Sequence, residues 1–248
     1  MYLYDFCKAC YLKRDCRRIT GELDNSKMLS DFCFPNQVAK YNVEKANIPL
    51  RFQQARIDDF KDNPKLMVHM EDIVSNLLDG ESGVSLCLIG EKTGTGKTHC
   101  AAAVLNHYLV NTLRRRIEKK EDLFQDYPLA YFIDYALWVD TLRSRYSDEY
   151  DSEIVEPAFE VPVLVIDDIG AGKMSDYARE QTFILINTRY SNNLSTIITS
   201  NLSLEELSNP TVLGKRTVSR IMDNADIIEF CSTDRRSINN TFYIGSGR

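Results

Sequence analysis

No apolar run in this sequence approaches the roughly 18 residues that a membrane-spanning helix needs. The first residues, MYLYDFCKACYLKRD, carry charge too early for a secretory signal. Both absences lead to the expectation of a cytoplasmic chain with no membrane partner. Positive charge is not in excess either: 30 Lys and Arg stand against 36 Asp and Glu, a net charge of −6. Nucleic-acid binders are usually basic, so any contact with DNA falls to local patches. One is Lys13, Arg14, Arg17 and Arg18 beside Tyr11; another is Arg114, Arg115, Arg116, Lys119 and Lys120, for which a solvated helix face is the plainer reading. Disulfides are not expected from seven cysteines in a cytoplasmic chain. Internal repeats and low-complexity runs are absent, and the three histidines, His69, His99 and His107, all lie beyond residue 45.

What remains is an ordinary globular composition, 44% apolar and 27% charged over 248 residues. That length suits one large domain with a small appendage. Residues 1–45 are polar, Cys-rich and weakly periodic, and read as a separate small module. NIPLRFQQARIDDF (47–60) reads as a connector into a main domain over 46–248, with Pro49 breaking any helix. From residue 64 the pattern alternates. Strands are expected at VSLCLIG (84–90), LAYFIDY (129–135), VPVLVIDDIG (161–170), STIITSN (195–201) and DIIEF (226–230). Helices fall around them, at 64–80, 97–113, 136–146 and 176–191, in a short LSLEELS segment capped by Ser203, and over 211–225 with Gly214 interrupting early. Strands alternating with helices predict a parallel five-stranded α/β sheet covered on both faces.

The chemistry concentrates after the first strand. SLCLIGEKTGTGKTHCA runs from a strand through a Gly-rich turn into a helix that begins with Lys and Thr. Phosphate binding requires this: successive backbone N–H groups turned toward the anion, and a helix N-terminus behind them. The candidate nucleotide contacts are Gly94, Thr95, Gly96, Lys97, Thr98 and His99, with Lys97 reaching the β- and γ-phosphates of ATP and the Thr98 hydroxyl holding Mg²⁺. The pattern G-x-x-x-x-G-K-[ST] is displaced by one residue, because Glu91 stands where its first Gly belongs and the Gly is at 90. Either Glu91 takes that position, or the loop is one residue longer and Gly90 keeps it. Seventy residues after Lys97, VLVIDD ends a buried strand in Asp167 and Asp168, at the strand end where α/β sheets place ligands. Asp167 suits Mg²⁺ and Asp168 suits a base that orients the attacking water. A paired turn acid or helix cap is the plain alternative.

GTGKTH, LVIDDIGAGK, INTRYSNNLSTIITSNLSLEEL and GKRTVSRI together resemble the DnaC/DnaI-type bacterial helicase loaders, AAA+ P-loop ATPases; NIPLRF resembles the segment before their core, and the resemblance spans roughly residues 47–245. The IstB-like transposase-helper ATPases share much of this core. The resemblance implies an ATPase of slow, switch-like turnover that loads a replicative hexameric helicase onto single-stranded DNA. It implies Asn201 as the polar group near the γ-phosphate, Arg220 as an arginine finger acting on a neighbouring copy, and hence self-association. Arg236 matches the second sensor, with Arg235 adjacent. Lys173, Ser175 and Tyr177 lie where related loaders face single-stranded DNA, although Ser175 also reads as a helix cap. Asp168 stands where many AAA+ members carry Glu. A transposition helper, and an adaptor that binds ATP with little hydrolysis, are the alternative functions.

Cys7, Cys10, Cys16 and Cys33 are spaced C-x2-C-x5-C-x16-C. Four thiolates suit tetrahedral Zn²⁺, which would stabilise a segment too small to fold alone. Such a run also occurs around iron–sulfur clusters, and a metal-free segment is the third reading. Cys87, Cys100 and Cys231 sit in apolar surroundings and read as core packing.

Overall fold

The computed structural model describes residues 34–80, 83–122, 127–143, 152–170, 174–230 and 242–246. Its centre is a six-stranded sheet in the order β2-β3-β4-β1-β5-β6, made of β1 (Ser85–Ile89), β2 (Ala130–Asp134), β3 (Val163–Asp167), β4 (Ser195–Ser200), β5 (Ala225–Phe230) and β6 (Phe242–Ser246). The first five strands are parallel, as the alternating pattern predicts. The sixth corrects the expected count: β6 pairs antiparallel with β5, from Phe230↔Phe242 to Asp226↔Ser246. An antiparallel neighbour needs no crossover helix, so it leaves no alternation to read.

β3 and β4 sit inside the sheet, and every position of β4 is buried. This explains the unbroken apolar run of β3 and the β-branched residues of β4, since both faces of a parallel sheet are covered. Alternate residues feed two cores. Leu86, Leu88, Phe132, Val163, Val165 and Ile197 face one; Cys87, Ile89, Tyr131, Ile133, Leu164, Ile166 and Ile198 face the other.

The first core is closed by α1 (Phe34–Lys45), the connector, α2 (Pro64–Leu78) and α3 (Lys97–Lys119). Asn63 caps α2, its side chain accepting from Leu66 N at 3.1 Å, and Pro64 occupies the first helical position where its missing N–H costs nothing. Ala101, Ala102 and Ala103 let α3 lie close on the sheet. The connector is two 3₁₀ turns, Leu50–Phe52 and Ile57–Phe60. Val43 and Ala46 are buried in this core, and Phe132 N donates to Ala46 O at 2.8 Å, so packing runs on through residue 45.

The second core is closed by α4 (Tyr135–Arg143), the short α5 (Ser152–Val155) and α6 (Pro157–Glu160), α7 (Asp176–Ser191), α8 (Leu204–Leu207) and α9 (Lys215–Met222). The helix expected over 211–225 begins later, because Gly214 adopts φ 78° and ψ 156° and breaks the chain before Lys215; Ala225 already belongs to β5. Ser203 caps α8 in a reciprocal box with Glu206. Cys87 and Cys100 are core residues, and burial pushes the Cys87 thiol up to about 12. Cys7, Cys10, Cys16, Cys33 and Cys231 lie outside the described residues, as does the first basic patch. In the second patch, Arg115 pairs with Asp79 at 2.8 Å, and Arg116 donates to Asp122 O at 3.1 Å. Among the described residues no helix is long and apolar enough to cross a membrane.

Candidate nucleotide site

The loop between β1 and α3 has the backbone of an anion cradle. Gly94 (φ 76°) and Gly96 (φ 101°) both occupy left-handed space, and Gly96 is the N-cap of α3 without any side-chain cap bond. The first N–H groups of a 23-residue helix therefore face the loop. The displaced Gly also finds its reason here. A Cβ on Gly90 would stand 2.5 Å from Phe230 O and 3.2 Å from its carbonyl carbon, at φ 153°. Glu91 is exposed and is not among the residues of positive φ. Gly90 keeps the turning role, the loop is one residue longer, and Glu91 bears no left-handed strain.

Lys97 is 6% exposed and folds its ammonium onto the loop itself, donating to Gly90 O and Lys92 O at 2.8 Å each, with Thr95 Oγ1 at 3.4 Å. Burial lowers its pKa, and the charges of Asp168 and Asp167 oppose that shift. A phosphate fits the same three-donor group in place of carbonyls.

The carboxylates stand opposite, at the C-terminal end of β3. Burial raises the Asp167 pKa, donors from Thr199 and Thr98 lower it, and the charges of Asp168 and Asp134 add to the rise. Mg²⁺ sites in nucleotide enzymes use one or two protein ligands beside phosphate and water, and the adjacent Thr98 and Asp167 fit that pattern. Asp168 turns the chain out of the sheet at φ 58°, a conformation Asp tolerates better than most residues. Its Oδ1 accepts from Asn201 Nδ2 at 2.6 Å. Asn201 thus reaches the carboxylate pair from the end of the neighbouring strand. His99, in the first turn of α3, lies 2.7 Å from Asp59 Oδ2 and meets Phe52 and Phe60 edge-on, which pins the connector against the helix start.

The remaining candidates lie elsewhere. Arg220 is on α9, where Nε donates to Asn187 Oδ1 at 2.7 Å and the guanidinium stands over the rings of Phe183 and Tyr190. Arg216, one turn earlier, covers Phe183 at 4.6 Å. Arg220 lines a hollow with Ser85 and Thr196, at the starts of β1 and β4, whereas the loop follows the end of β1. The finger candidate is therefore at the opposite end of the sheet from its own loop. Ser175 caps α7, accepting from Ala178 N at 3.2 Å, and Tyr177 is half-buried with its hydroxyl donating to Leu142 O at 2.9 Å. Lys173, Arg235 and Arg236 lie outside the described residues.

Three residues escaped the sequence reading. Thr199 bonds both Asp167 and the Asp168 backbone; its clue is that it precedes Asn201 by two, near the end of β4. Asp59 holds His99. Arg189 is buried on the apolar stripe of α7 and donates to Ala158 O, Val161 O, Ser195 O and Thr196 Oγ1 at 2.5–3.0 Å. Burial pushes its pKa down to about 9, which leaves it charged at neutral pH.

Residues 76–237 match the family described as IstB-like ATP binding protein. The chain belongs to the IstB-like ATP-binding family. It is 27% identical over 179 residues to the replicative helicase loader DnaI of Bacillus subtilis (strain 168), covering 72% of this chain and 52% of that protein. The chain thus spans about half the length of this curated relative. A crystal structure of the DnaC helicase loader is 26% identical with a TM-score of 0.56, covering 72% of this chain and 98% of that one. A structure of DnaI, 22% identical over 73% of this chain and 93% of that one, has the same fold at a TM-score of 0.56. Within the IstB-like family the chain is thus of the DnaC/DnaI type, an AAA+ fold.

Proposed function

We propose that this chain binds ATP with Mg²⁺, hydrolyses it slowly, and uses the cycle to load a replicative hexameric helicase onto single-stranded DNA. The observation that carries the ATPase part is the convergence of Lys97, Thr98, Asp167, Asp168 and Asn201 at the C-terminal ends of three central strands, from three separate segments. The loader part rests on the likeness to DnaI and DnaC.

Lys97 exchanges loop carbonyls for the β- and γ-phosphates. The free N–H groups at the start of α3 bind the same anion. Mg²⁺ held by Thr98 and Asp167 would neutralise phosphate charge. Asp168 orients the attacking water and takes its proton, and the Asn201 amide aligns that carboxylate. Arg220 cannot serve its own loop from the far end of the sheet, which supports its action on the nucleotide of a neighbouring copy; its Nε is held by Asn187 and its Nη1 makes only a long, 3.5 Å bond to Arg216 O, which a phosphate would replace. The Cys-rich segment is a metal-binding module for partner contact, with Zn²⁺ before an iron–sulfur cluster. Lys173 and Arg236 are proposed for DNA and nucleotide contact respectively.

The test is transfer of a hexameric helicase onto closed circular single-stranded DNA, which has no end to thread. ATP-dependent transfer that Lys97→Ala abolishes is expected. Transfer without ATP, or none at all beside tight binding to a transposase, would reassign the chain to an adaptor or to a transposition helper.

A further inference from the structure

Thr199 is 1% exposed, and its hydroxyl is used in both directions. It donates to Asp167 Oδ1 at 2.7 Å and accepts from the Asp168 backbone N–H at 2.8 Å. Thr98, from the opposite segment, also lowers the pKa of the same Asp167 carboxylate. Two residues on, just past the end of β4, Asn201 bonds the Asp168 carboxylate at 2.6 Å. The C-terminal end of β4 therefore sets both acids. Position 199 fixes the rotation of the Asp167 carboxylate and the left-handed turn of Asp168, and position 201 fixes where the Asp168 side chain points. Packing alone does not ask for this: β4 is buried throughout and rich in β-branched residues, so Val would fill the same space.

We infer that Thr199 is a positioning residue of the hydrolytic site, and that its hydroxyl sets the two carboxylates in register. The inference rests on the ATPase reading above. Without the hydroxyl, Asp167 loses the donor that fixes its rotation, and the Asp168 amide loses its acceptor while remaining part-buried. ATP affinity, set by the loop and Lys97, is little changed.

The experiment compares Thr199→Val, Thr199→Ser and Thr199→Cys in the full chain, with Lys97→Ala and Asp168→Asn as references. It measures ATP affinity, single-turnover hydrolysis and the Mg²⁺ concentration for half-maximal activity. Thr199→Val is expected to lower the hydrolysis rate about 10- to 100-fold and to raise the Mg²⁺ midpoint, the range seen when partners of metal ligands are removed. ATP affinity should stay within about threefold, since the charge-assisted phosphate contacts are intact. Thr199→Ser should restore turnover; Thr199→Cys, similar in size but a weak donor, should follow Val. If Thr199→Val does not fold, the Ser and Cys pair decides. Equal rates in Ser and Cys, or wild-type turnover and Mg²⁺ midpoint in Val, would overturn the inference. If wild type itself never turns over, the ATPase reading fails instead. The Mg²⁺ dependence of ATP affinity then decides Thr199 separately, an unshifted midpoint in Val counting against it.

Discussion

Asp167 shows what a buried carboxylate costs a folded chain. Burial raises its pKa, so folding disfavours its ionised form. The penalty is complete above the folded pKa and fades as pH falls through that value toward the ordinary carboxylate range. Asp167→Asn, without nucleotide or Mg²⁺, is therefore expected to melt higher than wild type at pH 8, by about 2–4 °C per kcal/mol relieved, with the gap narrowing at about pH 4, the ordinary carboxylate value. Melting curves at the two pH values check this; an equal or lower midpoint at pH 8 would contradict it. Arg189 is the reverse case, a buried charge whose bonds hold α7 to α6 and β4. Arg189→Met removes the donor that three carbonyls and Thr196 share. It should cost on the order of 3–5 kcal/mol, read as a fall of roughly 10 °C in Tm; a fall under 3 °C, on the order of 1 kcal/mol, would show those acceptors find other donors. The candidate phosphate loop and acid pair stand out in the sequence because each is written in contiguous residues. Thr199, Asp59 and Arg189 were not, since each acts on residues 31 to 40 positions away, or on a face that only folding reveals.

At the scale of elements, the loop between β1 and α3 depends on β5. Gly90 passes against the Phe230 carbonyl, so a side chain there must displace the end of that strand. Gly90→Ala is expected to destabilise by about 1–3 kcal/mol and to weaken ATP binding. Glu91→Gly, which restores the standard spacing, should leave ATP affinity within about threefold, the spread expected when the phosphate contacts are untouched. Equilibrium denaturation and nucleotide titration of both variants test this; the opposite ranking would mean that Glu91 holds the turning position. The same neighbour relation explains what pattern reading found and missed. Strands with helices between them announce themselves by period. α1 escaped because its sequence, FPNQVAKYNVEK, is weakly amphipathic, yet Val43 is buried. β6 escaped because its partner is set by pairing across the chain rather than by local pattern.

At the scale of the molecule, Arg220 lies at the far end of the sheet from its own loop, so the proposed finger role requires a second copy of the chain. Lys97→Ala, which keeps Arg220, and Arg220→Ala, which keeps the loop, should each lack partner-stimulated hydrolysis, and mixing them should restore part of it. No recovery on mixing would confine each site to one chain. All of this depends on the loop, the acid pair and Asn201 acting as one ATP-hydrolysing centre. The direct measurement is ATP turnover by the full chain, with and without single-stranded DNA, beside Asp168→Asn. Slow turnover that DNA stimulates, and that Asp168→Asn lowers by about 10²-fold or more, is the predicted result. Tight ATP binding with no turnover under any condition would contradict it and leave an ATP-gated adaptor.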